Sequence, residues 1–120
     1  MALTPALAGE DYCYLTTTGR STGHPHTIEI WFALNNDRLY LLAGGGHAAD
    51  WVKNVIRKQE VSVRINGIEQ KARARVIENG EEDTLARQLL FDKYAPRYSG
   101  DLNDWRRAAL PVAIDLLAEA

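Results

Sequence analysis

Apolar side chains recur at every second position in several short segments of this chain, and polar side chains fill the positions between them. The pattern is clearest in residues 61–65 and 72–76, on either side of Asn66 and Gly67. Because side chains alternate between the two faces of a strand, this spacing predicts β-strands buried on one face. An Asn-Gly pair between two such segments predicts a tight hairpin. The chain is therefore predicted to be mainly β.

Four more strands are predicted from the same alternation. They lie around Cys13, over residues 28–34, over residues 38–43 and over residues 110–116. The Asn-Asn-Asp sequence of residues 35–37 is a turn signal between two of them. A proline at the second position of the last segment fits a strand start or a sheet edge. The total is about six strands.

Helical spacing of apolar side chains appears in two regions between the strands. The first, over residues 48–56, begins just after three glycines, and a second helix is predicted to begin near Gly80 and end before Pro96. The buried residues predicted for this second helix are Leu85, Leu89 and Leu90. A third, short helix is predicted over residues 101–109. The predicted fold class is α+β, a mainly β antiparallel barrel that is closed or partly closed, with helices inserted between its strands and packed at its openings.

Composition limits what such a barrel can do. The chain has 120 residues, 46% of them hydrophobic, which suits one core and a single domain over residues 1–120. A formal net charge of −2 argues against a surface devoted to nucleic acid. No apolar run is long enough to span a membrane, and residues 1–9 lack the features of a signal peptide, so a cytoplasmic protein is expected. The single cysteine, Cys13, is expected to be a buried thiol.

A polar turn bracketed by glycines lies between the first two strands. It reads Gly19-Arg20-Ser21-Thr22-Gly23 and offers a guanidinium, two hydroxyls and backbone N–H groups, a set that suits a phosphate or carboxylate. The glycines of residues 44–46 lead from a strand towards a helix, where free N–H groups can also meet an anion. Three glycines can equally be a flexible exit from a strand. The two loops together predict a clamp for an anionic cofactor.

Single residues near these loops also give predictions. Trp51 is predicted to pack in the core and Lys53 to face solvent. Asn54 is a poor interior helix former, which a specific hydrogen bond would explain. The chain has three histidines, none with a cysteine or carboxylate at a metal-ligand spacing, so no metal site is predicted.

Four stretches together resemble the deazaflavin-dependent nitroreductase and quinone reductase family. They are residues 16–26, 42–46, 50–55 and 61–63, which read TTTGRSTGHPH, LAGGG, DWVKNV and VSV. The resemblance covers about residues 12–116. It implies a split β-barrel that binds the deazaflavin coenzyme F420. It further implies that a hydride passes from the reduced cofactor to an organic acceptor such as a quinone, a nitro compound or an activated alkene.

The resemblance also implies which residues form the cofactor site. The residues implied to hold the phosphate are Arg20, Ser21, Thr22 and His26. Those implied to line the deazaflavin ring are Thr27, Ile28, Glu29, Ile30, Trp31, Ala43, Gly44, Gly45 and Gly46. The helix with the W-x-x-N pattern is implied to close the site with Trp51, Val52, Lys53, Asn54 and Val55. Tyr94 and Tyr98 are the candidates to face the acceptor or give it a proton, and the choice between them stays open.

Ser21 and His26 stand where members of the family usually carry basic residues, which leaves room for FMN instead of the deazaflavin. The alternatives are therefore an FMN-dependent split-barrel reductase and a non-catalytic protein that binds a flavin or deazaflavin. In the two enzyme readings the partner is a small-molecule acceptor.

A homodimer that completes the active site is also predicted. The strand face with Glu29, Trp31 and Ala33 is mixed, and an aromatic region follows over residues 94–105. A chain of this length leaves little to cover either one. Exposed apolar surface often marks an interface, and two-fold pairing is its commonest form.

Overall fold

The computed structural model of the chain describes residues 3–118, so the predicted domain over residues 1–120 extends beyond it at both ends. The strands are β1 (Cys13–Thr18), β2 (Pro25–Ile30), β3 (Ala33–Asn35), β4 (Arg38–Ala43), β5 (Glu60–Ile65), β6 (Ile68–Val76) and β7 (Leu110–Leu116). The α-helices are α1 (Asp50–Arg57), α2 (Glu81–Tyr94) and α3 (Asn103–Ala108). Short 3-10 helices lie at Pro5–Gly9, Gly46–Ala48 and Ala95–Arg97.

All seven strands belong to one sheet, in the order β2-β1-β5-β6-β7-β4-β3, and every neighbouring pair is antiparallel. β2 and β3 are the two edges of this sheet, yet only Trp31 and Phe32 separate them in the chain. Three peptide units reach at most about 10 Å, so the two edges must come close together. The sheet therefore curls into a split barrel. The predicted antiparallel barrel is confirmed.

The predicted strand over residues 28–34 is interrupted, and this break explains why the sheet has seven strands. Between β2 and β3, the backbone N–H of Phe32 donates to the Tyr94 hydroxyl at 3.0 Å. The Phe32 carbonyl accepts a hydrogen bond from Nζ of Lys93 at 2.9 Å. These bonds to α2 satisfy backbone groups that a continuous strand would pair within the sheet. The alternating pattern of side chains carries no signal for such a break.

The tight turns follow the sequence predictions. Asn66 and Gly67 have φ angles of 50° and 80°, and Ile65 pairs with Ile68 across them. Two left-handed residues are what a type I′ hairpin turn requires. Asn36, with a φ of 60°, makes the turn from β3 to β4.

The predicted helices are present, with corrections to their ends and faces. A 3-10 helix separates the glycines from α1, which begins only at Asp50. α2 follows Gly80 as predicted, but its buried residues are Ala86, Leu90 and Tyr94. Leu85 is 39% exposed and Leu89 is only partly buried, so the predicted buried face was partly wrong. The prediction followed the leucines, whereas the buried face repeats every four residues and includes an alanine and a tyrosine beside Leu90.

β4 lies between two hydrophobic clusters and is buried on both faces. Leu39 and Leu41 belong to the cluster inside the barrel, whereas Tyr40 and Leu42 belong to a cluster under α2. The inner cluster also contains Leu15, Val55, Val63, Ile65, Ala72, Ala74, Val112 and Ile114. β7 lies beside β4 in the centre of the sheet, so Pro111 marks a strand start and not an edge.

A network of charged side chains fixes the start of α2 to the sheet. Glu82 accepts hydrogen bonds from Arg75 Nη2 at 2.9 Å and from Arg38 Nη1 at 3.0 Å. Asp115 accepts from Nε of Arg75 at 2.8 Å and also pairs with Arg38. Hydrogen bonds from Arg75 hold the pKa of Glu82 below its ordinary value. Burial acts to raise the pKa of Asp115, but hydrogen bonds from Arg75 and Arg38 outweigh it, so that pKa is also lowered.

Acid should weaken the fold through this network. Carboxylates with lowered pKa values stabilise the folded chain above their unfolded pKa of about 4, and this contribution is lost as the pH falls through the folded values. Glu82→Gln should therefore lower the free energy of unfolding at neutral pH by about 1 kcal/mol, after allowance for solvent screening. It should also make the loss of stability between about pH 5 and pH 3 shallower. Urea unfolding across this pH range measures both effects.

The matched control is Glu78→Gln, which neutralises an exposed glutamate just before α2. It should behave as wild type at every pH. An acid response of Glu82→Gln that is identical to the wild-type response would contradict the role given to the network.

Candidate functional site

The turn between β1 and β2 is closed by backbone hydrogen bonds and has a glycine at each end. Gly19 N–H donates to the His24 carbonyl, and Gly23 N–H donates to the Gly19 carbonyl, both at 2.8 Å. Gly23 has a φ of +75°, which glycine adopts without strain. A Cβ on Gly19 would lie 2.7 Å from Nε2 of His26, so any side chain there would displace the imidazole. The turn is thus a fixed platform for Arg20, Ser21 and Thr22.

Asn54 on α1 ties this platform to the helix. Its Oδ1 accepts hydrogen bonds from the backbone N–H of Arg20 at 3.2 Å and from Nη1 of Arg20 at 2.9 Å. Its Nδ2 donates to Oγ1 of Thr17 on β1 at 3.2 Å. Asn54 is 4% exposed and Thr17 is 1% exposed, so the bond between them forms away from water, where losing a partner is costly, and the two bonds to Arg20 are partly buried. The specific hydrogen bond predicted for Asn54 is confirmed.

The turn, β2 and α1 enclose a cleft of about 340 Å³. Its lining residues are Thr17, Gly19, Arg20, Ser21, Thr22, His26, Thr27, Ile28, Asp50, Trp51 and Asn54. Most of them were predicted for the cofactor site from the sequence. Thr17, Gly19 and Asp50 were not, although a threonine on the buried face of β1 is itself a signal that a polar partner lies nearby.

Charge in the cleft is nearly balanced. Arg20 is the one lysine or arginine among the lining residues, and Asp50 is the one acid. Nη2 of Arg20 lies 3.2 Å from Oδ1 of Asp50, and Nη1 lies 3.4 Å from the Asp50 carbonyl oxygen. His26 adds an imidazole, which becomes cationic when it is protonated.

The turn has hydrogen-bond donors to spare. Within residues 3–118, the backbone N–H groups of Ser21 and Thr22 donate no hydrogen bond, and the Ser21 hydroxyl has no partner. The Thr22 hydroxyl accepts from the His24 N–H at 3.2 Å, which leaves its own proton free to donate. Together with the Arg20 guanidinium, these donors fit an anionic group such as a phosphate.

The other residues predicted for the cofactor site do not line the cleft. They are Glu29, Ile30, Trp31, Ala43, Gly44, Gly45, Gly46, Val52, Lys53 and Val55. Val52 and Val55 are buried and hold α1 against the barrel, and Lys53 is exposed as predicted. The carboxylate of Glu29 accepts a hydrogen bond from the Tyr14 hydroxyl at 2.8 Å on an exposed part of the sheet. Contact between these residues and a cofactor stays a prediction.

Trp31 lies in an aromatic cluster. Its ring stacks on Tyr94 with the centroids 4.3 Å apart, and it meets Tyr98 at 5.7 Å and Trp105 at 5.5 Å edge to face. Ala33 next to it is buried. The prediction that the chain leaves this face uncovered is wrong for Trp31 and Ala33, which α2 and the residues after it cover, whereas Glu29 is exposed. Homodimer formation loses much of that physical basis and stays a prediction.

The two candidate tyrosines differ in what their hydroxyls contact. The Tyr94 hydroxyl is buried, donates to the Asp11 carbonyl at 2.8 Å and accepts from the Phe32 N–H at 3.0 Å. Burial also raises its pKa, so this hydroxyl serves the fold. Tyr98 is 48% exposed. It lines a small pocket of about 120 Å³ together with Asp11, Tyr12, Trp31, Tyr94 and Arg97.

Three further findings concern the rest of the described residues. In residues 3–118, no three His, Cys, Asp or Glu side chains come together in a way that could hold a metal ion. No helix in that range is long and apolar enough to cross a lipid bilayer. The Cys13 thiol is buried as predicted, and burial raises its pKa to about 12.

Comparisons with known proteins identify the family and the fold of the chain. The family model described as F420H(2)-dependent quinone reductase matches residues 2–116. A solved F420-H2 dependent reductase is 21% identical, with a TM-score of 0.71 over 87% of this chain and 93% of that one. A solved F420 reductase is 18% identical, with a TM-score of 0.68 over 98% of this chain and 96% of that one.

A third structure, described as a domain-swapped dimer, is 22% identical, with a TM-score of 0.71 over 87% of this chain and 79% of that one. No curated protein sequence matches the chain. At these identities, the solved structures establish the shared fold.

Asn54→Ala should loosen the platform. The substitution leaves the Thr17 hydroxyl and the Arg20 N–H without partners, so we expect the free energy of unfolding to fall by about 2 kcal/mol. Amide hydrogens of residues 19–24 should also exchange faster. Lys53→Ala changes an exposed neighbour on the same helix and should stay within about 0.5 kcal/mol of wild type. If both variants were equally stable in urea, the platform would not depend on Asn54.

Proposed function

We propose that this chain, which belongs to the F420H(2)-dependent quinone reductase family, passes a hydride from reduced F420 to a quinone or a related organic acceptor. As a member of this family it is an oxidoreductase, and F420H2 is its cofactor. The cleft between the Arg20 turn and α1 is the observation that supports a specific place for the cofactor. It combines a guanidinium held by Asn54 with free donors on a fixed turn.

In this proposal, the cofactor's phosphate is held by Arg20, Ser21, Thr22 and His26. These residues supply charge and hydrogen-bond donors to the cleft. Ile28 and Trp51 are the apolar side chains of the same cleft that would take the ring. The residue types present therefore fit a ligand with an anionic tail and a flat, largely apolar head.

Bound F420H2 supplies the hydride, and the protein contributes binding, orientation and electrostatics. Asn54 fixes Arg20, so the phosphate has one place to bind before the acceptor arrives. Once a quinone has taken up the hydride, one proton completes its reduction. Of the two candidates Tyr94 and Tyr98, Tyr98 has the exposed side chain, and we assign its hydroxyl to supply that proton. Ile28 and Trp31 are three residues apart, so about 10 Å of chain at most separates the cleft from the Tyr98 pocket.

The charge balance of the cleft favours one second candidate, an FMN-dependent split-barrel reductase. A single fixed cation opposite one carboxylate suits a ligand with one terminal phosphate, and FMN is such a ligand. A non-catalytic flavin-binding protein is the third outcome that a test must separate. Nitro compounds and activated alkenes remain candidate acceptors, and the cytoplasmic location and the homodimer remain predictions.

Binding and turnover separate these candidates. Calorimetric titration with oxidised F420 and, separately, with FMN shows which cofactor binds. Adding a quinone to the protein with reduced F420 and following the absorbance of the oxidised cofactor shows whether a hydride is transferred. We expect tighter binding of F420 and reoxidation that depends on the protein. Binding without reoxidation of the cofactor by any of the three acceptor classes would contradict the enzyme assignment.

Arg20→Ala tests the assigned phosphate site. Hydrogen bonds to charged groups contribute roughly 1.5–3 kcal/mol, so we expect F420 to bind about tenfold to a hundredfold more weakly while the chain stays folded. Arg107→Ala is the matched control, because Arg107 is also in an exposed ion pair, with Asp104 at 2.8 Å, away from the cleft. Unchanged affinity in folded Arg20→Ala would remove Arg20 from the site.

A further inference from the structure

We infer that Asp50 is an exchangeable counter-ion, which holds the outer side of the Arg20 guanidinium in the free protein and gives it up to the phosphate of the ligand. The inference rests on the proposed function, because it assumes that the phosphate binds at Arg20. It gives Asp50, which was not among the site residues predicted from the sequence, a role in setting how tightly the cleft binds an anion.

The two nitrogen ends of the Arg20 guanidinium have different partners on α1. Nη1 donates to Oδ1 of Asn54 at 2.9 Å, with the Asp50 carbonyl oxygen farther away at 3.4 Å. Nη2 donates to the Asp50 carboxylate at 3.2 Å. One end is therefore held by a neutral amide and the other end by a charge.

These two partners differ in how readily they can leave. Asn54 is 4% exposed and also bonded to Thr17, so it cannot withdraw without leaving buried polar groups unsatisfied. The Asp50 side chain is 87% exposed, so water replaces Arg20 at once when the ion pair opens. Asp50 also stands in the first turn of α1, where the helix dipole stabilises a negative charge without any partner. Asp50 is thus the partner that can leave.

Exchange is favourable because the two anions are not equivalent. An exposed ion pair between side chains contributes little, since water and salt screen it. A phosphate can bond to the guanidinium and to the free N–H and hydroxyl groups of the turn at the same time. Asn54 would hold Nη1 in both states, so the guanidinium keeps its place while its outer partner changes.

The role has a measurable consequence. In the free protein, Asp50 competes with the phosphate for Arg20, and after exchange its charge still faces the bound anion. Both effects weaken binding of the phosphate, so removing the charge of Asp50 should raise the affinity. If Asp50 merely oriented Arg20, removing its charge would loosen the guanidinium and lower the affinity.

A double-mutant cycle tests the exchange with the intact chain. Binding of oxidised F420 is measured by calorimetry for wild type, Asp50→Asn, Arg20→Ala and the double variant. We expect Asp50→Asn to bind about threefold to tenfold more tightly than wild type, as for removal of one screened charge contact. The gain should be smaller when Arg20 is absent, because only the repulsion is then relieved. Asp104→Asn, which removes another exposed and ion-paired aspartate, should leave binding unchanged.

Two results would overturn the inference. Unchanged or weaker binding by Asp50→Asn would make Asp50 an orienting or neutral residue. An equal gain with and without Arg20 would show repulsion at a distance and no competition for the guanidinium. A titration with inorganic phosphate, followed by the amide signals of residues 19–24 in wild type and Asp50→Asn, repeats the comparison without the cofactor. If folded wild type bound no F420, the proposed function would fail, whereas this phosphate comparison would still decide the exchange.

Discussion

The hydrogen bonds of Asn54 are the interaction on which the site depends. One buried amide joins β1 through Thr17, the turn through the Arg20 backbone and the Arg20 guanidinium. Without it, the polar contacts between α1 and the turn within residues 3–118 would be those of the Arg20 guanidinium with the carboxylate and the carbonyl oxygen of Asp50. Its oxygen serves Arg20 twice and its nitrogen serves Thr17, so a single side chain meets all three partners.

A second buried polar group, the Tyr94 hydroxyl, holds the chain where it crosses between the two edges of the sheet. The chain crosses from β2 to β3 in two residues, and the backbone of Phe32 there leaves the sheet and bonds to α2. The same crossing puts Trp31 on Tyr94 and so covers the outer side of the barrel with aromatic rings. Apolar burial stabilises both clusters, but these polar contacts decide where the sheet ends and which faces stay open.

Local patterns made much of the fold predictable from the sequence. The Asn66-Gly67 turn, the start of α2 after Gly80 and the bonded Asn54 each follow from the preferences of a few neighbouring residues. The break at Phe32 was missed because its partner lies 62 residues further on. The Asp50–Arg20 pair was missed for a similar reason, since an acidic residue at a helix start is ordinary and its partner is 30 residues away. Pairings across the fold have no local signature.

The central claim is that the Arg20 turn and the first turns of α1 hold the cofactor. Two-dimensional amide NMR spectra of the wild-type chain, recorded during a titration with oxidised F420, test this directly. We expect the largest shifts within residues 19–28 and 50–54, with smaller changes towards Trp31 and Tyr98. Shifts confined to the Tyr98 pocket, or shifts spread over the sheet while the turn and α1 stay unchanged, would place the cofactor elsewhere and contradict the claim.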